Sequence, residues 1–404
     1  MHDIGTLAAP ATDAMPRQAQ AGSRSGVATQ AWVLHDLSRG NRPRDLRLES
    51  LHLAALEGHE LLVEPLYGCW EGNMSHAVSR QPIDIARQRG EDRVVIGNAG
   101  VVRVLRPGAD VTGFKEGDVC LWTAVVWDKH GFTHRVAGYD APGTVGLLAR
   151  RTKVRQDQLI RVPVQSRFGL AQWAAFAVRH ITAWGNWRVA MQCYSAMRPS
   201  TPGFEPWVWG WGGGTAFAEL TLAARQGFRT ALIASEPSRL ERIRKAGIVP
   251  VDRRRFAGLD HRRSTDPSSA GDYRQAEHDF LTAVDEVTDG QRVSIFVDHL
   301  GAAVTPATLK ALARPGVITT SGWKTGMDMK TNRAVASMNW HVHVHSHYAR
   351  RDDCAAAVAY AEESGWIPEL DSRIYDWDEI PQLARDYAEG GLGTYFPIYR
   401  VNPE

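Results

Sequence analysis

Between Pro206 and Ala223 the chain reads PWVWGWGGGTAFAELTLA, residue types that can cradle an anion. A short apolar run, Trp207 to Trp209, breaks into Gly210, Gly212, Gly213 and Gly214 and continues through Thr215 as an amphipathic helix. In a strand, tight turn and helix of this kind, glycines let backbone N–H groups approach a pyrophosphate, whose charge the positive end of the helix dipole then holds. A second apolar strand, Thr230 to Ala234, follows at the spacing of a dinucleotide-binding βαβ unit. The six-residue glycine fingerprint is not met cleanly: Thr215 stands at its last place, the small residue falls one later at Ala216, and Trp211 sits inside the turn. An ordinary glycine-rich loop before a helix is the competing reading, and the strand that follows argues against it.

Specificity within such a unit turns on the end of the second strand, where NAD sites carry an acid for the ribose hydroxyls. Here Ser235 stands at that point, with Arg239 shortly after, a pair suited to a 2′-phosphate, so NADP(H) is favoured over NAD(H). Glu236 is adjacent and remains open as a ribose-binding acid. A second cluster is NWHVHVHSHY, where strand alternation puts His341, His343, His345 and His347 on one face. Four imidazoles on one face can bind a metal; the alternative is the last strand of a nucleotide-binding sheet, with only its C-terminal histidine near a site.

A chain of 404 residues, 44% hydrophobic, can bury a large core and is long enough for two domains. Its net charge of +2 gives no reason to expect nucleic acid or an anionic membrane as partner. Cys69, Cys120, Cys193 and Cys354 are far apart without a Cys-x-x-Cys pair, which fits neither a zinc cluster nor a disulfide framework and suits a reducing cytoplasm. Fourteen tryptophans suggest an aromatic lining somewhere, with core packing as the use of most of them. Residues 1–28 lack apolar periodicity and are expected to be a mobile tail. Strands are expected over Leu46 to Leu66, then a polar and aromatic site loop running into a helical turn, YGCWEGNMSHAVSRQP, with a helix over DDCAAAVAYAEES and a closing strand in GTYFPIYRV.

Between Val94 and Trp122 the chain reads VVIGNAGVVRVLRPGADVTGFKEGDVCLW. This stretch resembles the catalytic domain of the medium-chain dehydrogenase/reductase superfamily. DQLIRVP, ITAWG, VSIFVDHLG and GVITTSG are similar to that family's later segments. The resemblance implies an α/β fold: a GroES-like β-barrel catalytic domain, residues 29–185 and 349–404, with an inserted Rossmann domain, residues 186–348. It further implies cofactor contacts from Thr182, Gly301 and Gly322, besides the glycine turn, Ser235 and Arg239. In zinc-dependent members a Cys, a His and a later Cys or Asp hold the catalytic metal. Cys69 falls at the first place, but Asn98 stands where the histidine would be and AFAVRHITAWG offers no cysteine, so no zinc is expected.

The displaced small residue in the turn and the segment HSHYARRDD, with Tyr348 in the aromatic place, are similar to the zinc-independent branch of quinone oxidoreductases, enoyl reductases and crotonyl-CoA carboxylase/reductases. That resemblance implies hydride transfer to a conjugated C=C bond, with Tyr67, Asn73, His76 and His347 as the group facing the reaction. It also implies a small-molecule substrate, as a thioester of CoA or of a carrier protein, and a homodimer. Two other readings stay open: a zinc-independent alcohol dehydrogenase or carbonyl reductase, and a nucleotide-binding scaffold without turnover.

Overall fold

The computed structural model describes residues 26–35, 45–199, 205–263, 269–322, 329, 331–346, 348–371, 373–390 and 392–404. Of the expected tail, residues 1–25 lie outside these, and β1 already begins at Val27.

Ten strands precede the first long helix among the described residues: β1 (Val27–His35), β2 (Leu46–Leu53), β3 (Glu60–Cys69), β4 (Arg93–Val94), β5 (Gly100–Pro107), β6 (Val119–Trp122), β7 (Val125–Trp127), β8 (Thr133–Val136), β9 (Thr152–Arg155) and β10 (Leu159–Arg161). Between Tyr67 and Pro82 the expected loop is the end of β3 and the expected helical turn is an eight-residue helix, α1 (Gly72–Ser79), with α2 (Ile85–Arg89) after it. Glu71 caps α1, accepting from the N–H groups of Asn73 and Met74, so the sharp exit from β3 is fixed by one carboxylate. The last strands of the sheet around β3 come from the far end of the chain. There, β17 (Ile374–Tyr375) and β18 (Ile398–Arg400) extend the sheet along one edge of β3, with Ile398 opposite Cys69 and Arg400 opposite Tyr67.

A 28-residue helix, α3 (Leu170–Met197), links this barrel to the rest. The boundary expected at residue 185 falls within it; the helix is apolar on several sides and packs on barrel and sheet together. Gly185 is needed there, because a Cβ on it would lie 2.7 Å from the Ala349 Cα of the returning chain.

The inserted unit is a six-stranded parallel sheet ordered β13-β12-β11-β14-β15-β16. Its strands are β11 (Trp207–Trp211), β12 (Arg229–Ala234), β13 (Val249–Asp252), β14 (Val293–Asp298), β15 (Leu312–Thr320) and β16 (His341–His345). This 3-2-1-4-5-6 order places a crevice at the carboxyl ends of β11 and β14, where the order reverses. Helices α4 (Gly214–Arg225), α5 (Pro237–Lys245), α6 (Ser269–Thr288) and α7 (Thr305–Ala311) cover the faces; α8 (Arg333–Met338), α9 (Arg351–Ser364) and α10 (Ile380–Glu389) complete the chain.

β11 explains its own odd composition. Alternation sends Trp207, Trp209 and Trp211 to one face, where Trp211 meets Phe280 at 5.2 Å between ring centroids and donates from its indole N–H to Thr308 at 2.9 Å. The opposite face carries Val208 and Gly210 and must be small, since a Cβ on Gly210 would already sit 3.0 Å from Leu220 of α4. Trp211 therefore belongs to the core, and the turn proper starts after it. No helix among the described residues is long and apolar enough to cross a membrane.

Candidate active site

A cleft of about 900 Å³ lies between the carboxyl ends of β11, β12, β14 and β15 and the barrel wall. On the sheet side its floor is the turn Gly212–Gly213 and the start of α4. Gly212 has φ +138°, a conformation L side chains rarely adopt, and a Cβ on Gly213 would meet nothing within 4 Å. No side chain caps α4, so its first-turn N–H groups are left for whatever enters the cleft. Gly214 is a packing glycine: a Cβ there would press on Arg179 Cδ at 2.6 Å and on the Tyr395 carbonyl at 2.8 Å.

Farther along, Ser235 and Arg239 line the cleft. The Arg239 guanidinium donates to the carbonyls of Leu392 and Thr394 at 3.0 and 3.2 Å and lies 5.1 Å over the Tyr395 ring. It is thus held in place before any ligand arrives. Arg253, at the end of β13, joins it there, a residue the sequence reading missed. Glu236, the competing ribose acid, is the N-cap residue of α5 and is absent from the cleft lining.

The barrel wall is different in kind. Arg179 of α3, 5% exposed, donates to the Cys69 thiol at 2.8 Å and to the Trp70 carbonyl at 2.6 Å. Beside it Glu71, also buried, accepts from Asn73, Met74 and the Asn98 carboxamide. Burial pushes the Glu71 carboxyl above its usual range, while the Asn73 N–H, the Arg179 charge and the other two donors pull the other way. The Asn98 Oδ1 is buried at the cleft without a partner among the described residues. Thr182 from α3 and the Asn73 side chain also line the cleft, and neither side chain has a hydrogen-bond partner among the described residues.

Beneath the glycine turn a buried polar network ties four segments together. Glu219 of α4 is 3.3 Å from His299 Nε2, and Asn186 of α3 donates to both of its carboxylate oxygens at 3.1 and 3.0 Å. Thr319 at the end of β15 donates to the Asn186 oxygen at 2.8 Å, and the Ser321 N–H donates to His299 Nδ1 at 3.2 Å. Gly322 must be glycine here, because a Cβ would lie 2.5 Å from the His299 carbonyl.

Neither a protein-family model nor a curated protein matches the chain. Solved structures do. Crotonyl-CoA carboxylase/reductase AntE in complex with NADP superposes with a TM-score of 0.77 at 22% identity, over 95% of this chain and 98% of that one. The 2-octenoyl-CoA carboxylase reductase CinF, with NADP and 2-octenoyl-CoA, gives 0.77 at 20% identity over 93% and 88%. An alcohol dehydrogenase from Aeropyrum pernix gives 0.72 at 19% identity over 92% and 99%. The fold is that of the medium-chain dehydrogenases/reductases.

Within that medium-chain dehydrogenase/reductase fold the expected residues separate clearly. Asn73 and His76 of α1, Thr182, Gly212, Gly213, Gly214, Thr215, Ser235, Arg239 and Gly322 all line the cleft. Tyr67 does not: it lies on β3 opposite Arg400, and its hydroxyl is engaged with Glu404 and Arg400 near the chain's end. Gly210 is inside the sheet, and Gly301, φ +90°, closes a turn by donating to Asp298. His347 lies outside the described residues. His341, His343 and His345 are on β16, the edge strand of the sheet. Among the described residues no three His, Cys, Asp or Glu side chains converge as a metal site. The place of the first zinc ligand, Cys69, faces a guanidinium, the wrong charge beside a cation. The residues missed were Glu71, Asn98, Arg179, Arg253 and His299; of these, only the Glu-x-x-Met-Ser helix start carried a local signal, that of an N-cap acid.

Proposed function

We propose that the protein is an NADPH-dependent reductase of a conjugated C=C bond, in an enoyl thioester or enone, working without zinc. The observation that carries this reading is the make-up of one cleft: an anion-binding turn and Arg239 with Ser235 at one end, and at the other Thr182 and Asn73, donors without a partner or a metal ligand set among the described residues. The complexes of similar fold with NADP, and with NADP and 2-octenoyl-CoA, support it.

NADP fits the residues present. Gly212, Gly213 and the uncapped start of α4 would hold the pyrophosphate, while Ser235, Arg239 and Arg253 would hold the 2′-phosphate. Bound there, the reduced cofactor would supply a hydride. This chain's own task is to stabilise the enolate oxygen that develops on the substrate and to return a proton to its α-carbon. Thr182 and Asn73, which line the cleft, would be the donors for the oxygen. Glu71, a carboxyl raised by burial, is the group from which a proton can be returned, with the Asn73 and Met74 N–H groups and the Asn98 carboxamide fixing its position. The phosphate-facing half makes NADPH the better ligand, and Ser235→Asp should reverse the preference by placing a carboxylate where the 2′-phosphate sits.

The test is loss of nicotinamide absorbance with enoyl thioesters, enones, ketones and alcohols as a panel. Reduction of the conjugated substrates by NADPH is expected. Reaction with simple ketones and saturated alcohols alone would replace this reading with the carbonyl reductase that the alcohol dehydrogenase likeness favours, and no turnover on any of them would favour the scaffold reading. A homodimer is part of the proposal: Val335, Met338 and Trp340, 51%, 68% and 62% exposed, flank the edge strand β16 and are the apolar side chains a second copy would cover.

A further inference from the structure

The histidines of β16 have no part in the cleft: none of His341, His343 and His345 lines it. Their strand pairs with β15 alone and so leaves its other side open at the end of the sheet. Val342 and Val344 pack into the core shared with α3, which sets the three imidazoles on the opposite face. There the Nε2 atoms of His341 and His343 are buried, and neither has a hydrogen-bond partner among the described residues. The His341 ring is hydrogen-bonded to the Ala313 backbone, which, with Nε2 unpartnered, falls to Nδ1. One nitrogen on a carbonyl and the other bare is how a metal-ligating imidazole is usually held. Burial keeps both rings below their ordinary pKa, in the neutral form that has a lone pair to give. Within one chain no three His, Cys, Asp or Glu side chains converge among the described residues, so this pair is half of a ligand set. Beside it Trp340 is exposed and has φ +55°, a conformation bulky residues seldom take, and exposed Met338 and Val335 precede it.

Resting on the homodimer reading, we propose that two copies pair antiparallel through β16 and hold one zinc-like divalent cation on their twofold axis, between His341 and His343 of each. Opposite residues of an antiparallel pair point to the same face. An axis normal to the sheet keeps the histidine face of both copies on one side, so a histidine can stand opposite only a histidine. With the axis at Val342, His341 of each copy faces His343 of the other, and the four Cβ atoms mark a rectangle of about 7 by 5 Å. Four neutral imidazoles around one point make a tetrahedral nitrogen set, which suits zinc rather than magnesium or calcium. The cation also satisfies all four buried Nε2 atoms, which pairing alone would leave without partners. Its work is to join subunits, since no ligand of the set lines the cleft.

The experiment strips the chain with a chelator, titrates it with zinc chloride, and reads bound metal by elemental analysis and mass by light scattering. The wild type should take up one zinc per two chains, saturably, as a dimer. His341→Gln and His343→Gln each remove two of the four ligands and should weaken zinc binding about 10²-fold or more, at least what losing an outer-shell partner costs. Cobalt(II) in place of zinc should give the intense visible bands of a tetrahedral site in the wild type and in neither variant. Trp340→Asp touches no ligand but puts charge at the seam, so it should weaken the dimer and zinc binding together. A dimer that binds no zinc, or binds it equally well in both histidine variants, overturns the metal site and leaves the homodimer reading standing. A chain that stays monomeric at every zinc concentration sinks that reading and the site with it. One zinc per chain, or full zinc affinity in a monomeric Trp340→Asp variant, also overturns the shared site.

Discussion

On its sheet side the cleft is walled by backbone: a turn at Gly212 and Gly213, an uncapped helix start, and glycines that let neighbours close in. Across from it the barrel presents buried charged and polar side chains, Glu71, Asn98 and Arg179, brought from three separate elements. Backbone recognition is encoded in adjacent residues and tolerates a mutation or fails locally. A buried charge cluster is encoded in residues far apart, and each member depends on the others for its solvation. The two walls should therefore respond to substitution in opposite ways.

The largest effect is expected on the barrel wall. Arg179→Met removes the donor to Cys69 and Trp70 and leaves Glu71 without its neighbouring cation, so unfolding in denaturant should show a loss of about 3–5 kcal/mol, the usual result of breaking a buried charged contact. A change under 1 kcal/mol would mean that the guanidinium is solvated through the cleft, and that the two walls differ less than their burial says.

Next is the contrast between Asn73 and Tyr67. Asn73→Ala deletes a donor that lines the cleft and should lower turnover about 10²-fold while NADPH binding, followed by fluorescence, is nearly unchanged. Tyr67→Phe, whose lost hydroxyl faces Glu404 and Arg400 on the other side of β3, should leave turnover intact. Reversed results would show that the barrel rearranges when substrate binds.

That contrast marks how far the sequence could be read. The βαβ unit was legible because its strand, turn and helix are contiguous, and Ser235 and Arg239 fall at fixed offsets from it. Tyr67 and Asn73 stood six residues apart in what read as a loop running into a helical turn, and nothing local revealed that β3 extends to Cys69 before the chain turns. Pairing with β18, more than three hundred residues away, fixes which way Tyr67 points. Asn98 was noticed only as a missing histidine. Its use against Glu71 depends on β3 and the chain before β5 lying side by side, which no spacing within either segment states.

On the sheet wall the effects should be smaller and separable. Gly213→Val would push a branched side chain into open space that the ligand needs, weakening NADPH about tenfold, the order of one anion–helix interaction, with little change in thermal stability. Gly214→Ala should do the reverse. Its Cβ meets Arg179 and the Tyr395 carbonyl, so it should cost about 1–3 kcal/mol of stability. If both variants lose cofactor affinity alike, Gly214 also touches the ligand and the division into contact and packing glycines fails.

The smallest effect concerns Glu219, where the sheet wall has its own buried charge. Burial raises this carboxyl above its ordinary 4.5, with His299 and Asn186 pulling it back. A carboxyl raised by folding binds its proton in the native chain while the unfolded chain has already lost it. Stability from this group is therefore greatest below the ordinary value and falls as pH rises from there through the raised one. The slope can be no steeper than about 1.4 kcal/mol per pH unit. Glu219→Gln keeps a hydrogen-bonding side chain that cannot ionise, so the variant should gain on the wild type as pH rises across that window. Parallel stability curves would mean that His299 holds Glu219 ionised throughout, making the pair a permanent brace between α4 and the loop after β14. In that case the variant should instead be less stable at every pH, because a neutral amide accepts more weakly from the His299 and Asn186 side chains than a carboxylate does, and the sheet wall would share the barrel wall's dependence on buried charge.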